Sequence, residues 1–436
     1  TDGANASGVA YVFTSGSNGW IQEQILSGSL ATGSGDNFGV SIAMNASGDR
    51  VVVGANFDER SSQVSSHDEG LVYVFNSGSS GWTQNAILSG SLATQTGDWF
   101  GTSVAINASG NIIVVGSNQD ERNDYPLSNH GLAYVFVSGT NGWAEQQILS
   151  GSLTLQATGV DWFGYSIALN ESGDRIVIGA RQDERSNQPP DHQEGLVYIF
   201  DYNGTMWIET HILSGSLAVN SADLFGQSVA INSIGDRVIV GARADESVIV
   251  RPANLYTFRL TDTYGDGWNG ATVQVREVTG SIVVATMGST FTNGAGPIDI
   301  DVELTQGKHY ELYFNNGGSY PSEVRVQIID PNYNAIYTQN SSLAAGTVMH
   351  QWIAQTGSGE PIQAAESSGL VYIFTSGSNG WKQQQILSSS LTANIYDYFG
   401  HSVTTDASGK IVAVGAIDDE TSVAGSGVVQ MFSSSL

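Results

Sequence analysis

The chain has 436 residues, 40% of them apolar and 13% charged, with 15 basic against 42 acidic side chains, a formal net charge of −27 and no cysteine. That apolar share excludes a disordered chain, the acidic excess repels nucleic acid and anionic lipid and so favours cations or neutral polar ligands, and the lack of cysteine removes disulfides, zinc thiolates and cysteine nucleophiles while leaving the redox compartment open. No apolar run approaches the roughly 20 residues of a membrane helix, no segment reads as a leader, and a first residue Thr1 fits a processed secreted protein or an excerpt of a longer one.

Taken in chain order, the pattern begins with "GVAYVF" (Gly8 to Phe13) and "GWIQEQIL", two short strand-like segments. A four-segment unit follows: "FGVSIAMN", "RVVVGA", "GLVYVF" (Gly70 to Phe75) and "GWTQNAILSG" (Gly81 to Gly90). Their alternating or continuous apolar character predicts strands. The intervening "NASGD" and "NSGSSG" are turn sequences. The unit recurs, its D-x-F-G aspartate falling at Asp36, Asp98, Asp161, Asp223 and Asp397, in steps of 62, 63, 62 and 174. One period plus about 112 inserted residues accounts for the long step. Four-stranded antiparallel units of this kind bury their faces only by stacking, which predicts an all-β, five-bladed β-propeller.

Strand bookkeeping sets out how the ring is expected to close. The C-terminus supplies "FGHSVTTD", "KIVAVGA" and "GVVQMF" (Gly427, Val428, Val429, Gln430, Met431, Phe432), the first three strands of a blade. The N-terminal "GWIQEQIL" then serves as its fourth, and one third-type strand is surplus. That strand is either a frayed edge or a strand given to a neighbouring molecule. An incomplete array needing repeats from elsewhere is the alternative to a closed ring.

The F-G-x-S-V-A, V-V-G-A and G-x-V-Y-V-F segments resemble the FG-GAP repeat of integrin α-subunit propellers and of many secreted microbial and algal proteins. The resemblance covers about three quarters of the chain and implies the propeller fold. Many family members hold calcium in a D-x-D-x-D-G turn between the first two strands. Here that turn reads "NASGDR", "NASGNI", "NESGDR", "NSIGDR" or "DASGKI", with too few carboxylates for the ion.

The expected domains are therefore 1–247, the first part of the propeller; 248–366, an inserted β-sandwich or jelly roll; and 367–436, the last part. Eight strands are expected in the insertion, from "LYTFRLTD" and "ATVQVREV" to "HYELYF" and "VMHQWIA". It replaces a connection on the propeller face where the aspartates are expected to gather. Its "TDTYGDGWNG" (Thr261 to Gly270) resembles the D-x-Y-G-D-G-W-N element of a small β-sandwich module on secreted proteins, as does "GGSYPSE" (Gly317 to Glu323). Asp262, Asp266, Asn269 and Glu323 offer hard oxygen ligands suited to calcium, with Tyr264 and Trp268 as ligand-contact aromatics. The competing reading has both aspartates bonding the turn's own backbone while Tyr264 and Trp268 plug the end of the sandwich.

Other candidates carry a structural reading beside the functional one. The pairs Asp58/Glu59, Asp120/Glu121, Asp183/Glu184, Asp245/Glu246 and Asp419/Glu420 either ring a channel that takes a cation or polyhydroxyl ligand, or bond loop backbone and pair with Arg60, Arg122, Arg181 and Arg185. Trp20, Trp82, Trp143, Trp207 and Trp381 are sugar shelves or caps over the blade edge. Asn5, Asn45, Asn107, Asn170, Asn203 and Asn340 head N-x-S/T sequons, and are glycosylated if the host is eukaryotic and the protein secreted. Seven scattered histidines show no helical metal spacing. A glycosidase needs an asymmetric carboxylate pair that near-identical blades do not supply.

The functional expectation is an extracellular or cell-surface, non-enzymatic adhesion protein that recognises glycans or other surface partners. The alternative is a structural subunit of a surface filament or sheath, joined through the surplus strand. A glycoside hydrolase is the third class.

Overall fold

The computed structural model describes residues 7–17, 19–31, 35–59, 68–120, 130–153, 160–183, 193–218, 222–245, 254–289, 291–292, 298–331, 335–339, 344–355, 368–378, 380–389, 397–417 and 427–434. Among them every regular element is a strand. The chain divides into two compact units, 1–247 with 364–436, and 248–363. The inserted unit thus ends three residues before the expected 366.

The first unit opens with a hairpin of β1 (Ala10–Gly16) and β2 (Gly19–Leu26). Four four-stranded antiparallel sheets follow, in the manner of propeller blades. Blade I is β3 (Ser41–Met44), β4 (Arg50–Ala55), β5 (Leu71–Gly78) and β6 (Gly81–Leu88); blade II is β7 (Phe100–Ile106), β8 (Ile112–Ser117), β9 (Leu132–Gly139) and β10 (Gly142–Leu149). Blade III is β11 (Phe163–Leu169), β12 (Arg175–Ala180), β13 (Leu196–Tyr202) and β14 (Trp207–Leu213). Blade IV begins with β15 (Phe225–Ile231) and β16 (Arg237–Ala242) and resumes after the second unit.

The second unit holds β17 (Leu255–Asp262), β18 (Ala271–Glu277), β19 (Ile282–Met287), β20 (Ile298–Glu303), β21 (His309–Gly317), β22 (Val324–Ile329), β23 (Ala335–Thr338) and β24 (Thr347–Ile353). They form two four-stranded antiparallel sheets, β20-β17-β22-β23 and β19-β18-β21-β24. The buried alternate residues of both sheets, such as Phe258, Leu260, Val273, Leu312, Val326 and Ile328, make one core.

Blade IV then closes with β25 (Leu370–Gly377) and β26 (Gly380–Leu387), β16 pairing directly with β25 across the insertion. The terminal sheet has three strands, β27 (Ser402–Thr405), β28 (Ile411–Ala416) and β29 (Val428–Ser433).

The expected closure is not met. Among the described residues β2 pairs with β1, β29 pairs with β28, and no ladder joins the two sheets. β29 is thus the third strand of the terminal blade, and β1 keeps β2.

The repeated motif is the blade-to-blade joint. Phe100 stacks edge-on against Tyr134 and Phe136 of its own blade, while its backbone N–H donates to the Glu69 carbonyl of the preceding one. The next residue, Gly101, places its carbonyl so close to Gly54 that a Cβ there would stand 2.1 Å away, and the same oxygen accepts from Ser41 Oγ at 2.7 Å. Ser103 to Gly164, Ser166 to Gly226 and Ser228 to Gly400 repeat this bond. F-G-x-S and V-G-A are therefore two halves of one contact.

Candidate functional site

The candidate cation site lies in the second unit, in the turn from β17 to β18. Asp262 ends β17 and is buried. Its Oδ2 accepts the backbone N–H groups of Gly265 (2.5 Å), Asp266 (2.9 Å) and Gly267 (3.1 Å), which curls the turn tightly enough to need positive φ at both glycines. Asn269 braces the same turn by donating from Nδ2 to the Gly267 carbonyl at 3.0 Å. Glu323, just before β22, is tied in through its backbone carbonyl, which accepts from the Thr263 N–H at 3.2 Å.

One ligand atom from each of Asp262, Asp266 and Glu323 lies within 4.8 Å of the others. Asp266 Oδ1 and Glu323 Oε2 are both shielded from solvent without a hydrogen-bond partner. Burial raises the Glu323 pKa above the ordinary carboxylate value, and the charges of Asp266 and Asp262 add to it. Like charges gathered with unspent buried oxygens are the chemistry of a hard-cation site. The residues therefore fit calcium: Asp262 shapes the turn while Asp266 and Glu323 supply oxygens that nothing else uses.

The aromatics divide. Trp268 is buried in the core against Phe291, with Nε1 donating to the Thr261 carbonyl, so it is a packing residue and not a ligand contact. Tyr264 is 79% exposed and plugs nothing. It is the aromatic that the turn offers to solvent.

The repeat aspartates are interior. Asp36, Asp98, Asp161, Asp223 and Asp397 are buried, as are Asp58, Asp120, Asp183 and Asp245. The last four accept a hydrogen bond from the hydroxyls of Tyr73, Tyr134, Tyr198 and Tyr372, which burial and the neighbouring carboxylates make harder to ionise. They brace the third strand of each blade. Burial, then the charges of Asp36 and Glu59, push Asp58 up to about 7.

Among the described residues Arg181 pairs with no repeat carboxylate. Its guanidinium lies over Tyr165 and Trp162 and donates to Gln227 of the next blade at 2.7 Å, so it joins blades through an amide. Glu121, Glu184, Glu246, Asp419, Glu420, Arg60, Arg122 and Arg185 lie outside the described residues.

Asn45, Asn107 and Asn170 are buried turn anchors. Asn45 Oδ1 accepts from the backbone of Asp49 and Arg50 while its amide nitrogen donates to Ser47 and Asp49, and the other two repeat the arrangement. In the folded chain these amides are committed to the turn. Asn203 is exposed, and Asn5 and Asn340 lie outside the described residues. Trp82 and Trp207 are buried caps, whereas Trp20 is exposed.

One series escapes a motif search. The residue before the third-strand glycine, whose carbonyl receives the next blade's Phe N–H, is Ser7, Glu69, His130, Glu194 or Ser368. His130 meets Asp161 of the next blade at 2.5 Å, burial raising the Asp161 pKa while the histidine opposes it. Glu69 is fully buried with neither carboxylate oxygen hydrogen-bonded. The signal was present only in the aligned copies, as one position that varies where its neighbours do not.

Comparison with known proteins matches the FG-GAP repeat over residues 20–75, 82–136 and 143–200. Three FG-GAP repeats therefore lie within residues 20–200 of this chain. No curated protein matches it by sequence. Among solved structures, a functionally unknown protein from Desulfotomaculum acetoxidans DSM 771 is 8% identical over 81% of this chain and 84% of its own, with a TM-score of 0.34. Saccharomyces cerevisiae Sqt1 is 11% identical over 92% and 97%, with a TM-score of 0.29. Both scores are too low to bear on function.

Proposed function

We propose that this is an extracellular, non-enzymatic recognition protein: its FG-GAP blades form a propeller-type scaffold, and its inserted β-sandwich carries a calcium-dependent contact site for glycans or surface proteins. The observation that carries the reading is the meeting of Asp262, Asp266 and Glu323 with two buried oxygens unspent, beside the exposed Tyr264. A bound calcium would offset two of the three carboxylate charges and leave part of its coordination for ligand hydroxyls, with Tyr264 as a flat surface for a sugar ring. Extracellular calcium is abundant enough to fill a weak site of this kind. The non-enzymatic reading is supported by the blade aspartates, which are buried and bonded to tyrosine where a glycosidase would present them to substrate.

The test is calorimetric titration of the full chain with calcium, followed by a glycan screen with and without the ion. One calcium site is expected, lost in Asp266→Asn and Glu323→Gln variants whose melting without calcium matches the parent. Absence of calcium binding by the parent chain would sink the reading, and calcium binding without any calcium-dependent ligand would remove its recognition half.

A further inference from the structure

The two ends of the blade array expose opposite faces of the same joint. In blades I to IV the third strand turns Leu71, Tyr73 and Phe75, or their counterparts, toward the preceding sheet, and Val72 and Val74, or theirs, toward the following one. Tyr73, Tyr134, Tyr198 and Tyr372 are all 0% exposed. In the N-terminal hairpin the backward-facing counterparts Val9, Tyr11 and Phe13 are 44%, 49% and 52% exposed. At the same end Ile42 on β3 is 54% exposed, where its counterpart Val104 is 8%. At the other end the forward-facing Val429 and Met431 of β29 are 71% and 65% exposed, where Val72 and Val74 are 0%.

The terminal blade also carries an unused half-joint. Gly415 and Ser402 occupy the places of Gly54 and Ser41, yet the atoms nearest a Cβ on Gly415 are those of Ser402, with no carbonyl of a following repeat. Together with Val403, Thr404, Ala413 and Val429 they line a shallow groove of about 240 Å³.

We propose that these two ends pack on each other between copies of this chain, head to tail. One end is the forward face and the other the backward face of a joint that the molecule already makes between successive blades. A heterologous contact of this kind propagates into a ring or a filament. Exchange of β1 for β29 is disfavoured by a matched pair. Gly28, Gly90, Gly151 and Gly215 each lie against a third-strand tyrosine ring, so closely that a Cβ would stand within 2.8 Å of it. In the terminal blade Ser389 takes the glycine's place and Gln430 the tyrosine's, bonded at 2.6 Å. Tyr11 in place of Gln430 would meet the Ser389 side chain, so the copies stack face to face and β29 stays.

Sedimentation over a dilution series, at about 0.15 M salt or above to screen the net charge of −27, tests this. The full chain is expected to grow beyond a dimer as concentration rises, and more so as salt rises. A chain with Tyr11→Asp and Phe13→Asp, and one with Val429→Asp and Met431→Asp, are each expected to remain monomeric. Their mixture should give a one-to-one dimer and nothing larger. Ile42→Asp on β3 and Thr404→Asp on β27 provide a second pair expected to behave alike, and unchanged melting of the monomers shows that the variants fold. The proposal fails if the parent chain stays monomeric throughout, as closure of its own two ends would make it. It also fails if a one-face variant still assembles alone, as strand exchange or a self-complementary face would allow, or if the mixture does not dimerise.

Discussion

The repeat aspartates show how a motif that reads as acidic surface becomes interior chemistry. Asp58 is buried, bonded to Tyr73 and raised to about 7 by burial and then by Asp36 and Glu59. The folded state therefore holds the Asp58 proton more tightly than the unfolded chain does. The cost of ionising it is absent below about pH 4, grows as pH rises toward 7 and is constant above. Urea unfolding should give lower stability at pH 8 than at pH 5, and Asp58→Asn should flatten that part of the slope relative to the parent; an unchanged slope would show that Asp58 is ionised throughout. Glu69 makes a sharper case, since both oxygens are buried without a hydrogen bond. Glu69→Met is expected to raise stability by about 1–3 kcal/mol. A fall instead would show that the carboxylate holds a cation in solution.

At the level of the strand, the joint between blades depends on one missing methyl group. Gly116 faces the Gly164 carbonyl, which a Cβ would meet at 2.0 Å, whereas Gly139 in the β9–β10 turn has no atom closer than 3.8 Å. Gly116→Ala should cost about 2–3 kcal/mol or more in denaturant unfolding, because backbone on both sides must separate. Gly139→Ala should cost far less. Equal losses would mean that the blades shift freely against each other and that the close approach is incidental. Ser103→Ala, which removes the bond to the Gly164 carbonyl, should cost about 1 kcal/mol, with the blades otherwise intact.

For the molecule as a whole, the net charge of −27 and the exposed ends act against one another. Long-range repulsion keeps copies apart at low salt, while short-range burial of Tyr11, Phe13, Val429 and Met431 favours contact once screened. The proposed calcium site belongs to a different unit. Occupation of the Asp262, Asp266 and Glu323 site should raise the melting temperature of the inserted unit's transition and leave that of the blades unchanged. A calcium-induced shift in the blade transition instead would place the ion among the repeat carboxylates.

Much of this was legible in the sequence because repetition is a local signal. Five copies of D-x-F-G, the period near 62 and the apolar alternation determined an all-β array of four-stranded sheets, the place of the insertion and the turn that gathers Asp262 and Asp266. What only the tertiary structure decided were the relations between elements distant in sequence. Glu323, named as a candidate from its motif, was brought to the turn from some 60 residues away only by the pairing of distant strands. Trp268 goes inward and Tyr264 outward although both sit in one motif, because only Trp268 faces the core of the two sheets. The blade aspartates look solvated when read one repeat at a time and are buried once Tyr73 and its counterparts close over them. The ends stay apart for a reason no repeat can display: β28 takes β29 as its third strand, Gln430 is matched to Ser389, and β1 is left paired to β2 alone.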